Sequence, residues 1–201
     1  VSLCCAWVDQ ERAIVVTDTL GALAHDGSEI HMTKVGIFPH MNALAVVLGN
    51  TDLINVITYI IAPLQGEYDL LIDNADQVVA DACNMYRERV EFALMHPEQA
   101  FLFAGWSRKE SRIVAIYGTW REGQVATRRV SGNFAQPAWP GYSPEPMNTA
   151  AALQKAAAGQ IEHFSGQPQT AGKLGGRLIV AEVAAARITL DNVPIPGSAR
   201  G

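Results

Sequence analysis

The stretch V-S-L-C-C-A-W-V-D-Q-E-R-A-I-V-V-T-D-T-L-G-A, residues 1–22, decides the fold class. Residues 3–8 and 12–17 are short apolar runs separated by the polar Asp9-Gln10-Glu11. β-Branched and aromatic residues on both sides of a tight polar turn predict two antiparallel strands, so the chain opens on a β-hairpin. Cys4 and Cys5 are neighbours in the first strand and point to opposite faces, which leaves Cys83 alone to pair. No disulfide framework is expected, and three buried free thiols fit a reducing cytoplasm.

Outward from the hairpin, a polar, glycine-containing segment covers residues 19–33, and a second strand pair, 34–38 and 43–48, is broken at Pro39-His40. At Thr51 the period changes. Leu53, Ile54, Ile57, Ile60, Ile61 and Leu64 recur at three-and-four spacing behind Asn50-Thr51-Asp52, which predicts a capped amphipathic helix over 53–64. A longer helix is predicted over 69–94, its apolar stripe running from Leu71 through Val78, Val79 and Ala82 to Val90, with Arg87 and Arg89 late to suit the macrodipole. Strands at 100–106, 112–117 and 124–130 read as an antiparallel meander. A proline-rich loop over 136–146 precedes an alanine-rich helix, 148–164, and strands at 177–183 and 187–190 close the pattern. Blocks of strands alternating with helices predict a layered α+β domain, with two antiparallel sheets face to face and helices outside. Residues 1–193 are expected to form one domain and 194–201 a flexible tail.

Composition narrows the function. In 201 residues, 49% are hydrophobic and 17% charged, which excludes a disordered chain. The net charge of −5 comes without a basic block, so no nucleic acid partner is expected. The most apolar stretch, 53–64, contains Asn55, Thr58 and Pro63 and is far shorter than the ~20 residues of a spanning helix, so no membrane partner is expected either. The N-terminus carries no secretory signal pattern. Phosphate-cradling glycine motifs, G-x-S-x-G and H-E-x-x-H are all missing. His25, His31, His40, His96 and His163 lack the spacing of a zinc site, so neither metal nor cofactor is expected.

The first 22 residues together with H-M-T-K-V-G-I-F (31–38) and A-V-V-L-G-N-T-D (45–52) resemble the opening of proteasome-type β-subunits, members of the N-terminal-nucleophile (Ntn) hydrolases. The resemblance implies a four-layer αββα sandwich. It also implies a nucleophile opening the first strand, an Asp ending the second, here Asp18 in V-T-D-T, and a Lys opening the next, here Lys34 in T-K-V. Counting back by the family's spacing lands on Ser2. A serine hydroxyl needs a base, and the α-amine of the same residue, with a reference pKa near ~8, is the nearest one. A Lys beside that amine tunes it, and an Asp paired to the Lys keeps it oriented. Freeing the amine requires loss of Val1, and the native protein is expected to begin at Ser2.

By the same resemblance, backbone N–H groups at Leu48 and Gly49 hold the oxyanion, and Gly21, Met32, Gly36, Val46 and Asn50 line a small, mainly apolar substrate pocket. The sequence departs from the family in three places, one being the G-S-G after the middle strands, which is only echoed by Val130-Ser131-Gly132. Leu48 replaces the first glycine of G-G-x-x-D, and Ala171-Gly172-Lys173-Leu174-Gly175-Gly176 stands where the family has an acidic residue and then S-G-G. The implied function is cleavage of an amide bond in a peptide or a small amide by Ser2. The alternative is an inactive, structural or assembly subunit of the same kind. The nearly all-apolar helix over 53–64 predicts a homo-oligomer, a ring being one arrangement that the resemblance implies.

Overall fold

The computed structural model describes residues 2–22, 26–64, 66–89, 97–139, 146–167 and 174–197. Val1, His25, His96, the end of the expected long helix (90–94), most of the proline-rich loop, residues 171–173 and the last four of the expected tail lie outside the described residues.

In chain order the first strands are β1 (Cys4–Val8), β2 (Arg12–Asp18), β3 (Leu20–Ala22), β4 (Glu29–His31), β5 (Val35–Phe38) and β6 (Ala43–Leu48). Helices α1 (Leu53–Ile61), α2 (Tyr68–Asp73) and α3 (Ala75–Arg89) follow, then β7 (Glu98–Ser107), β8 (Arg112–Arg121), β9 (Gln124–Val130) and β10 (Gly132–Gln136). Helix α4 (Ala150–Ser165) and strands β11 (Arg177–Ala184) and β12 (Arg187–Pro194) complete the order. The fold is α+β, with antiparallel sheets. One sheet runs β10-β1-β2-β11-β12, the other β5-β6-β7-β8-β9, and β3 and β4 form a small hairpin.

The opening hairpin sits inside the first sheet because both of its faces are buried. On β2, Ala13 and Val15 join a core shared with Leu44, Val46, Leu102 and Ala115 of the second sheet. Ile14 and Val16 point the other way, into a core with Leu153 and Ala157 of α4. A third core joins Ala45, Val47, Phe101 and Phe103 on the far face of the second sheet to Leu53, Ile57 and Ile61 of α1 and Val79 and Ala82 of α3. A strand covered on both faces is apolar at every position, which is why residues 13–16 read as a run and not as an alternation. Asp9 closes the hairpin turn, accepting from the backbone N–H of Glu11 at 2.8 Å and of Arg12 at 2.9 Å.

The helices differ from the sequence reading in two places. The helix expected over 53–64 ends as an α-helix at Ile61, and Ala62–Leu64 continues as a 3-10 turn. Pro63 has no N–H to donate to the preceding turn. The helix expected over 69–94 is two helices separated at Asn74, whose side-chain amide donates to the Leu70 carbonyl at 2.8 Å. Asn competes with the backbone for such bonds and favours helix ends. α2 is held from both sides, since Asp69 accepts from Ser107 Oγ and the Arg108 N–H, and the buried Tyr68 hydroxyl donates to the Val114 carbonyl at 2.9 Å.

Three strands were not expected from the sequence. β3 and β4 lie in the polar segment 19–33 and are three residues each. β10 has no β-branched residue, and it forms because β1 offers a free edge, with Cys4 opposite Gln136 and Val8 opposite Gly132. The final strand is longer than the expected 187–190 and reaches Pro194.

Candidate functional site

Ser2 lies just before β1, Asp18 at the end of β2 and Lys34 just before β5. The register of the hairpin, with Cys4 opposite Thr17, brings the chain beside Ser2 against Asp18. The contact is direct, because the Leu3 N–H donates to Asp18 Oδ1 at 3.1 Å. Lys34 Nζ donates to the same oxygen at 2.7 Å and to the Leu20 carbonyl at 2.8 Å. The Gly175 N–H donates to Asp18 Oδ2 at 3.3 Å. Lys34 and Asp18 are both fully buried, and Ser2 is 9% exposed.

Burial pushes the Lys34 amine down from the usual lysine range, against the attraction of Asp18 and its hydrogen bond. Burial likewise pushes the Asp18 carboxyl up, opposed first by Lys34 and then by the N–H groups of Leu3 and Gly175. Taking both charges out of water offsets much of what their attraction supplies. The pair abuts the residue that follows Ser2, through the Leu3 N–H.

Gly175, whose N–H reaches Asp18, is followed by a second glycine, Gly176. Gly176 has a φ of +76°, and a Cβ there would lie 2.6 Å from Thr19 Oγ1 and 2.7 Å from His31 Nδ1. Only glycine lets β11 enter this close to β2 and β4. The Thr19 N–H then donates to the Arg177 carbonyl at 2.9 Å, holding the turn after Asp18 in place.

Ser2 opens onto a cavity of about 150 Å³ whose described lining is Leu48, Gly49, Glu98, Ala100, Gln136 and Pro137. Of the two expected oxyanion donors, Leu48 is committed elsewhere. The Trp106 N–H donates to the Asn42 carbonyl at 3.1 Å, and in an antiparallel ladder every second pair from there exchanges both bonds. Leu48 opposite Ala100 is such a pair, so its N–H belongs to β7. No described residue accepts from the Gly49 N–H.

The expected pocket residues do not gather at Ser2. Gly36 and Val46 lie on opposite faces of the β5–β6 pair. A Cβ on Gly36 would meet Ile54 of α1 at 2.8 Å, whereas Val46 is sealed in the core between the sheets. Gly21, in β3 of the small hairpin, neighbours Met32, and Asn50 is bonded to Gln99. None of the five is among the described lining residues of the Ser2 cavity. The residues there that sequence reading missed are Glu98, Ala100, Gln136 and Pro137. Glu98 precedes the expected start of its strand, and Gln136 ends a strand without a β-branched residue, Gly-Asn-Phe-Ala-Gln, so the local cue was weak at both. Among the described residues no three His, Cys, Asp or Glu side chains cluster to hold a metal.

No family model matches the chain, and no curated protein matches it. Among solved structures it is similar to an Anbu (Gly-1) mutant from Hyphomicrobium sp. strain MC1, with a TM-score of 0.65 over 98% of this chain and 90% of that one. The likeness is one of fold. At 12% identity it transfers no residue's role. Among the described residues, no helix is long and apolar enough to cross a membrane.

Proposed function

We propose that this chain is an Ntn-type amide hydrolase of proteasome-like, αββα architecture, with Ser2 as its nucleophile, Asp18 and Lys34 as its tuning pair and Gly49 as its oxyanion donor. The observation that carries the reading is the buried Lys34–Asp18 ion pair hydrogen-bonded to the Leu3 N–H, one residue from a serine that faces a cavity. The three cores in series support the layered architecture, and residues 1–193 are read as one domain.

The chemistry follows from the residues. With the Val1–Ser2 bond cut, the α-amine of Ser2 takes the proton from its own Oγ as Oγ attacks the carbonyl carbon of the amide. The oxyanion that forms accepts from the Gly49 N–H, whose position is fixed before the reaction. Collapse of the tetrahedral species breaks the C–N bond, the departing amine takes the proton, and water hydrolyses the remaining ester on Ser2. Lys34, positively charged and held by Asp18, keeps the Ser2 amine unprotonated at neutral pH. Ligand pockets usually run to roughly 300–1,000 Å³, so a cavity of about 150 Å³ suits one short side chain or a small acyl group. The substrate is a peptide or a small amide, the expected setting is the cytoplasm, and the expected assembly is a homo-oligomer.

A second reading, a structural subunit without activity, is favoured by one observation. Lys34 Nζ is bonded to Asp18 and Leu20, and no hydrogen bond joins it to Ser2 Oγ among the described residues. Intact-mass measurement, a panel of fluorogenic peptide amides and a serine-reactive electrophile decide between the two. The catalytic reading expects Val1 to be absent, Ser2 to be labelled, and Ser2→Ala to lose hydrolysis while keeping its urea midpoint. Retained Val1 together with an unlabelled Ser2 would establish the structural reading instead.

A further inference from the structure

Gln99 is fully buried, yet it is polar and stands at the start of an otherwise apolar run on β7. Its amide spans the chain immediately after Gly49. Oε1 accepts from the Asn50 backbone N–H at 2.7 Å, and Nε2 donates to Asn50 Oδ1 at 2.8 Å. The fit against Gly49 is close, since a Cβ there would lie 2.3 Å from Gln99 Oε1. Gly49 itself has a φ of +119°, a backbone conformation that other residues rarely adopt. The turn from β6 toward α1 is therefore not shaped by its own sequence alone. It is shaped by a side chain from β7, 50 residues on, that satisfies one backbone N–H and one side-chain carbonyl of the turn.

We propose that Gln99 is the positioning residue of the oxyanion site: its amide holds Asn50, and through the backbone torsions of Gly49 this sets the preceding Leu48–Gly49 peptide, whose N–H serves the Ser2 cavity. The inference rests on the reading of Ser2 as an amide-cleaving nucleophile. Gln99 is not among the described lining residues of the cavity, so it acts through Gly49 and not on the substrate. An oxyanion donor counts only when it is held where the charge develops. Without the amide, the Asn50 N–H loses its acceptor at 2.7 Å, and the turn moves with it.

The test compares wild type, Gln99→Met and Gln99→Glu. Met matches the length and flexibility of Gln and fills its space, but it offers no bond to Asn50. Glu keeps an acceptor for the Asn50 N–H. Each protein is assayed for kcat and KM on one fluorogenic peptide amide, with active sites counted by the final stoichiometry of a serine-reactive electrophile and folding checked by urea melts. The expected result is a loss of about 10²-fold in kcat per active site for Gln99→Met. KM stays within about threefold, because the interaction lost is made in the transition state. Gln99→Glu recovers at least about tenfold of that loss. A merely structural Gln99 would lower the urea midpoint and the count of active sites but leave kcat per site unchanged, and that outcome overturns the proposal. If Gln99→Met does not fold, Gln99→Glu decides: kcat within about tenfold of wild type supports the acceptor role, and a drop of about 10²-fold overturns it. A wild type that neither hydrolyses amides nor is labelled at Ser2 removes the functional reading itself and this inference with it. An active wild type with an equally active Gln99→Met removes this inference alone.

Discussion

Replacing Lys34 by Met keeps an aliphatic stem of similar length and deletes one half of an ion pair in which neither partner is exposed. Asp18 is then left with the Leu3 and Gly175 N–H groups as donors, at 3.1 and 3.3 Å, and without its 2.7 Å bond to Nζ. Removing one partner of a buried pair leaves an uncompensated charge and costs about 3–5 kcal/mol. That is a large part of the roughly 5–15 kcal/mol that holds a domain folded. The sign of the pH dependence follows. In Lys34→Met the attraction that opposed burial is gone, so the folded-state pKa of Asp18 rises further above its ordinary value of 3.8. A raised carboxyl pKa favours the folded state below the unfolded value, and that contribution is lost as pH rises through the folded value. The deficit against wild type should therefore be largest near pH 8 and shrink as pH falls toward about 4. Urea melts of wild type, Lys34→Met, Asp18→Asn and the double variant test this. The double variant should be less destabilised than the two single variants added together by at least about 2 kcal/mol, since the second substitution removes a charge already orphaned. Single losses under about 1 kcal/mol, or additivity within about 0.5 kcal/mol, would refute the pair as a buried, mutually dependent unit.

Two further outcomes are expected away from the site. Glu110 accepts from Arg129 and Arg112, which hold its carboxyl down at about 2 from an ordinary 4.5, so its contribution is present above pH 4.5 and lost as pH falls through about 2. Its side chain is 27% exposed and the arginines more so, so Glu110→Gln should cost no more than about 1 kcal/mol at neutral pH, with the difference vanishing near pH 2 in urea melts. Tyr68→Phe removes the buried bond to the Val114 carbonyl and should lower stability by about 0.5–1.5 kcal/mol. An unchanged urea midpoint would show that α2 is not anchored there.

The sequence by itself determined what depends on neighbours in the chain. Strands over 3–8 and 12–17 around Asp9 and a helix over 53–64 were legible because period and turn chemistry are local properties, although the α-helix ends at Ile61 and a 3-10 turn follows. Ser2, Asp18 and Lys34 were singled out by a resemblance and not by period or turn chemistry, and the structure places Lys34 and Asp18 in one buried pair touching the residue after Ser2. What the sequence could not carry was everything decided by a partner far along the chain. β10 is a strand because β1 lies beside it. Gly36 and Val46 fall on opposite faces because their strands pair in a register that puts Gly36 opposite Ala45 and Val46 opposite Val35. Of the two expected oxyanion donors, Leu48 is taken by the ladder to β7, and Gly49 is shaped by the Gln99 amide of that same strand. Tertiary structure decides these points because a hydrogen-bond donor, unlike an apolar stripe, has no meaning until its acceptor is in place.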